Sequence, residues 1–162
     1  DGIYYQFRTL ASTNASPGSV GQWSEKVSGM SSVFNKAKNP PMSIHFCWDS
    51  VIDKKEYETW ITLAGDVWKL MLTPYSPPGG GSEKYYLRYL LIGLAPEGKI
   101  GVWLEKPDKP NIRLTDKQIL IETVSGEKME MCNGRSAYKH GYSYPESTKN
   151  FIKDKKYPYG NW

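Results

Sequence analysis

Apolar and polar positions alternate with a period of two along much of the chain, the pattern of half-buried strands. Ile3, Tyr5 and Phe7 share one face of an expected strand over Ile3 to Leu10. Ser43 to Trp48 and Tyr57 to Leu63 predict two more, both rich in aromatic and β-branched residues. The clearest pair is Tyr85 to Leu94 and Lys99 to Lys106, joined by Ala95-Pro96-Glu97-Gly98, a connection of hairpin length. The first member is apolar on both faces and is expected at the centre of a sheet. Gln118 to Val124 supplies another strand. Helical spacing is confined to two places. Trp23, Val27, Met30 and Phe34 recur every three or four residues, weakened by Gly29 and serines, and Asn39-Pro40-Pro41 stops what precedes it. Asp66 to Leu72 predicts two turns with Val67, Leu70 and Met71 inward, ended by Thr73-Pro74. The segment Pro77 to Ser82 is a surface loop. About five strands and at most two helices define a single β-dominated α+β domain over residues 1–162, built on an antiparallel sheet. Its N-terminal segment, 1–41, carries the weaker pattern.

Composition narrows the class. With 39% hydrophobic and 23% charged residues in 162 positions, the chain lies outside the disordered regime. No apolar run approaches the roughly 18–20 residues that cross a bilayer. An opening at Asp1 rather than Met reads as a mature or trimmed product. The net charge of +4 is unevenly placed. From Arg135 to Trp162 the chain carries Arg135, Lys139, Lys149, Lys153, Lys155 and Lys156 against Glu146 and Asp154, so all the positive excess sits in this tail. Of the 12 tyrosines and 6 tryptophans, Tyr138, Tyr142, Tyr144, Tyr157, Tyr159 and Trp162 sit in the same tail. Such rings suit a half-exposed surface that meets a partner. They serve equally to seal a core from above, with the lysines in solvent.

Candidate chemistry is sparse. Cys47 and Cys132 stand 85 positions apart and form no CxxC motif, which excludes a zinc ribbon or thioredoxin-like site. They are a possible disulfide in an oxidising compartment, or two buried thiols. Gly93 to Lys99 spells GxxxxGK, but Ile100 replaces the magnesium-binding hydroxyl and a strand pattern follows where a helix is required. There is no GxSxG elbow and no HExxH. The two histidines, His45 and His140, would need a hydrogen-bonded serine or carboxylate to support an envelope hydrolase. Asp49 and Asp53 are read as turn and cap groups. Asn14-Ala15-Ser16 spells a glycosylation sequon, of a kind common by chance. No metal, cofactor or nucleic-acid site is expected, since the basic tail carries few charges and no nucleic-acid-binding motif.

Two stretches carry a resemblance. Ile44 to Thr59 is similar to an aromatic-rich strand, a W-x-S turn (Trp48-Asp49-Ser50) and a Y-x-T strand (Tyr57-Glu58-Thr59). Gly93 to Leu104 is similar to a GLAPxGKIxVWL signature. With the closing Tyr157-Pro158-Tyr159-Gly160-Asn161-Trp162, they resemble a family of bacterial lipoproteins built on a domain of unknown function, over roughly positions 42 to 162. The resemblance implies a periplasmic protein, lipid-anchored in its full-length form. It implies an immunity protein that binds and inhibits a phospholipase effector of the type VI secretion system, needing no catalysis of its own. The acylated cysteine of that family does not stand before Asp1 here. The candidate partner-binding residues are Tyr142, Tyr144, Lys153, Lys155, Lys156, Tyr157, Tyr159 and Trp162. The competing expectation is a periplasmic module that binds sugar or peptidoglycan with the same rings.

Overall fold

The alternating segments around Asp53 form a hairpin, β1 (Ser43–Ser50) and β2 (Lys55–Leu63), in the computed structural model of the chain. The structure describes residues 2–8, 21–24, 26, 35–76, 79, 82, 84–107, 110–135, 143–157 and 159–162. Helix α1 (Gly65–Leu72) follows, then β3 (Leu90–Ala95), β4 (Lys99–Leu104), β5 (Ile112–Arg113), β6 (Ile119–Ser125) and helix α2 (Glu146–Ile152). The strands make two antiparallel three-stranded sheets, ordered β1-β2-β6 and β3-β4-β5. The β-dominated α+β class read from the pattern is the class observed, with the antiparallel strands divided between two sheets.

Both sheets feed one core, and the period-two pattern decides which residues reach it. Phe46 and Trp48 of β1, Tyr57, Ile61 and Leu63 of β2, and Ile119 of β6 cluster with Val102 and Leu104 of β4. Val67 and Met71 of α1 close the same cluster, whereas Leu70, expected inward, is exposed. An eight-residue helix turns only a narrow stripe inward, and Val67 and Met71, four apart, fill it. The polar groups on the inner face answer each other. The Trp48 indole donates to Thr59 Oγ1 at 2.9 Å, and Thr59 lies 3.0 Å from Thr123 Oγ1 on the next strand. Buried hydroxyls paired in this way avoid the desolvation cost of leaving them unmatched.

Several expectations are corrected. Ile3, Tyr5 and Phe7 are exposed, and residues 2–8 form no strand, because alternation without a neighbouring strand leaves the backbone ladder unmade. Val27, Met30 and Phe34 of the expected N-terminal helix lie outside the described residues, as does the Asn14 sequon. The segment Tyr85 to Leu94 is a strand only from Leu90, and Tyr85 makes an isolated bridge to Tyr75. That strand is an edge, and the central place belongs to β4, whose last four residues are all buried. Asp49 lies within β1 rather than in the turn. The Ala95–Gly98 connection is a hairpin turn, closed by a 3-10 turn over Pro96–Gly98.

The outer face of the second sheet explains why β4 is buried on both sides. Gly93 and Gly101 are register partners, and the Trp103 ring lies across them. A methyl group built on Gly101 would meet the Trp103 ring at 2.3 Å. Trp23 packs edge-on against Trp103 at 5.5 Å and against Trp162 at 5.1 Å. The parallel bridge between Gln22 and Asn161 holds these two ends of the chain side by side.

On the outer face of the first sheet, Cys47 stands directly opposite Glu58. Cys47 forms a disulfide with Cys132, with the α-carbons 5.4 Å apart. In the chain-entropy account a loop of this length contributes about 4 kcal/mol. The bond draws residues 130–132 over Glu58, whose side chain is wholly buried. Its carboxylate accepts backbone N–H bonds from Glu130, Met131 and Cys132 at 2.8, 3.2 and 3.1 Å. His45 Nε2 donates to it at 2.6 Å, with the imidazole stacked on Trp60. Burial alone would push this carboxyl up; the bonds from Cys132, His45, Met131 and Glu130 together outweigh it and hold the pKa below the usual value.

Glu58→Gln turns amide hydrogens toward backbone N–H groups, and urea unfolding should show a loss of about 3 kcal/mol. Because the folded pKa is depressed, the carboxylate's contribution is present above the unfolded value of about 4.3 and is lost as pH falls through the folded value. The acid-side decline in stability should therefore be shallower in Glu58→Gln than in the parent. Gly101→Ala should displace the tryptophan cluster, costing about 1–3 kcal/mol and altering the near-ultraviolet dichroism.

Candidate functional site

Two turns meet at one end of the core. The β1–β2 turn carries Asp53, and Lys54 in the same turn has φ 52. The β3–β4 turn carries Glu97 at φ 66 and Gly98 at φ 74. Such a conformation is costly for a non-glycine residue. Asp53 offsets that cost: its Oδ2 accepts the Glu97 backbone N–H at 2.8 Å and the Tyr57 phenol at 2.7 Å. Gly98 needs to be glycine twice over, for its positive φ and because a methyl group there would meet Tyr57 at 3.0 Å and Thr123 at 3.1 Å. Asp53 therefore binds the tip of the second sheet to the first.

Beside this junction opens a cleft of about 620 Å³. Lys55, Tyr57 and Thr123 line it from the first sheet, with Ser125 and Lys128 where β6 passes into a 3-10 turn (Gly126–Lys128). Glu97 and Gly98 form the opposite side, and Tyr157 closes the wall from the C-terminal segment. Glu97 pairs with Lys99 at 3.2 Å, and its carboxylate stands close enough to the Tyr157 phenol to raise that phenol's pKa. Burial first, then the hydrogen bond to Asp53, pushes the Tyr57 phenol well above the ordinary tyrosine range. Tyr157 is shifted the same way, by desolvation of its phenol and then by the carboxylates of Glu97 and Asp53. Both phenols are thus hydrogen donors rather than nucleophiles at neutral pH.

The residues singled out in the tail are divided by the structure. Tyr144 donates its phenol to the Ile52 carbonyl and lies under the Lys54 ammonium at 4.3 Å, so it fastens the C-terminal segment to the β1–β2 turn. Tyr157 is 40% exposed at the cleft, with Tyr159 edge-on to it at 5.5 Å. Trp162 belongs to the tryptophan cluster on the other sheet. Lys153, Lys155 and Lys156 are exposed; the Lys155 ammonium folds back on the Phe151 carbonyl and ring. Tyr142 and His140 lie outside the described residues. Lys55, Glu97, Ser125 and Lys128 were not singled out from the sequence. Nothing in their spacing marks them, because two turns distant in sequence bring them together. The His45–Glu58 pair has the hydrogen bond that an acid–base dyad requires. Both Glu58 oxygens are nevertheless committed to the backbone of residues 130–132, and no serine or threonine hydroxyl bonds His45 among the described residues.

The raised Tyr57 pKa gives a measurable signature. The unfolded chain ionises its tyrosines near pH 10, whereas folded Tyr57 does not, so this contribution to stability is complete below about pH 10 and is lost as pH rises further. Titration of tyrosinate absorbance should show a late phenol that Tyr57→Phe removes.

A family model described as "Protein of unknown function (DUF2931)" matches residues 4–160. No curated protein and no solved structure matches the chain. Since that match takes in both sheets and the cleft, the protein belongs to the DUF2931 family.

Proposed function

We propose that the protein acts by binding another protein: it is an immunity protein that covers a phospholipase effector of the type VI secretion system in the periplasm and silences it without covalent change. The sequence resemblance supplies the partner. The observation that carries the reading is the half-exposed Tyr157 at the mouth of the cleft, on the same segment as the exposed Lys153 and Lys156. Interface anchors are typically aromatic or arginine side chains, and surrounding charges set the speed of encounter. The disulfide agrees with an oxidising compartment. A lipid anchor on the full-length protein would keep it at the membrane where a phospholipase acts. A second reading, a periplasmic module for sugar or peptidoglycan, draws on the cleft walled by Tyr57 and Tyr157.

The test is inhibition of a type VI secretion phospholipase effector, with the neighbouring open reading frame as the first source of candidates. Stoichiometric inhibition with a Kd in the nanomolar range or below, about −12 kcal/mol, is expected. Tyr157→Ala should weaken inhibition at unchanged Tm, while Tyr144→Ala should lower Tm because it releases the segment from Ile52. Charge reversal at Lys153 and Lys156 should slow association, and salt should erase the difference. Absence of inhibition by the folded parent protein would overturn the reading.

A further inference from the structure

Lys55 and Lys128 reach the cleft from the two strands that end beside it. Tyr57 and Ser125 are register partners in β2 and β6, so Lys55 lies just before one strand's final pair and Lys128 just after the other's. The charges across the cleft are answered only in part. Asp53 Oδ2 holds the Tyr57 phenol and the Glu97 backbone while its Oδ1 is buried without a partner among the described residues, and Glu97 pairs with Lys99. The two lysines are unanswered: both are exposed, and neither makes an ion pair among the described residues. Lys55 and Lys128 therefore line one concavity together with Ser125. Protein walls around a charged concavity strengthen its field relative to an open surface.

We infer that this cleft receives an acidic side chain of the protein partner, its carboxylate set between Lys55 and Lys128. The inference rests on the protein-binding reading above and assigns that reading its central contact. The size fits: about 620 Å³ admits a side chain with its flanking backbone, far more than a single ion occupies. The charge fits as well. Glu97 on the opposite side disfavours a multiply charged phosphate more than a single carboxylate, and the Tyr157 ring offers a face to the chain that carries it. Contact at this site desolvates the pair, which is where a charge pair contributes most to affinity.

The test has two arms. In the first, an acetylated tetraglutamate peptide is titrated into the labelled protein and amide resonances are followed. Saturable shifts confined to Lys55, Ser125, Lys128 and Tyr157 are expected. They should weaken about tenfold in Lys55→Ala/Lys128→Ala, persist in Lys55→Arg/Lys128→Arg, and be absent with tetraglutamine. In the second arm, the double alanine variant should weaken inhibition of the phospholipase by about tenfold or more, with the double arginine variant restoring it. Full inhibition by the double alanine variant would overturn the cleft assignment and leave the proposed function standing. Peptide binding at the cleft without any phospholipase inhibition by the parent would overturn the proposed function instead. Lysine-dependent binding to phosphatidylglycerol vesicles with no response to the peptide would assign the cleft to lipid phosphate and overturn the inference.

Discussion

A carboxylate with no solvent contact is the constraint around which this molecule is arranged. Glu58 sits on the face of the first sheet that points away from the core, where a strand would ordinarily meet water. An isolated buried carboxylate would neutralise itself or unfold its surroundings. Here three consecutive backbone N–H groups and an imidazole surround it, making a concavity of the kind that binds anions elsewhere. The disulfide next to it, between Cys47 and Cys132, brings that backbone into place. Each device needs the other: the covalent link limits where residues 130–132 can lie, and the carboxylate gives their amides somewhere to donate.

The second sheet is held by a smaller version of the same device. Asp53 accepts from Tyr57 on one sheet and from the strained Glu97 backbone on the other. Gly98 then packs without a side chain against Tyr57 and Thr123. The two sheets thus meet closely at this tip, and the cleft is the space left beside it. On the proposed reading, a surface supported by two turns and a carboxylate bridge is better positioned than one on a free loop, because Lys55 opens β2 and Lys128 ends the short 3-10 turn that directly follows β6.

Function by binding is consistent with this distribution of rigidity. The aromatic residues of the tail do not act as one surface. Tyr144 and Trp162 tie the C-terminal segment down at opposite places, one at the β1–β2 turn and one against Trp23. Tyr157, between them in the chain, is left half-exposed at the cleft. In this reading the packed rings limit the entropy lost when a partner orders the surface, which is the usual benefit of preorganisation.

Much of the framework was legible in the residues themselves. β1, β2, β4 and β6 appear close to where alternation places them, and α1 matches Asp66 to Leu72 within a residue at its start. These are local properties: a period of two or 3.6 and a proline or glycine at the boundary are written in neighbouring positions. The long apolar run ending at Leu94 predicts a central strand yet forms an edge, because apolarity on both faces does not say what covers each face. The tryptophan cluster needed two residues near the chain ends and a pair of glycines in register. The cysteine pairing, the burial of Glu58 and the meeting of Lys55 with Lys128 likewise depend on contacts between segments tens of residues apart. Sequence pattern marked which segments could be strands, since alternation depends on side chains a few positions away. A partner strand had to complete them, and residues 2–8 have none among the described residues. Only the tertiary structure decided which charges would be buried, paired or left facing a cleft, since that depends on what the rest of the chain brings to them.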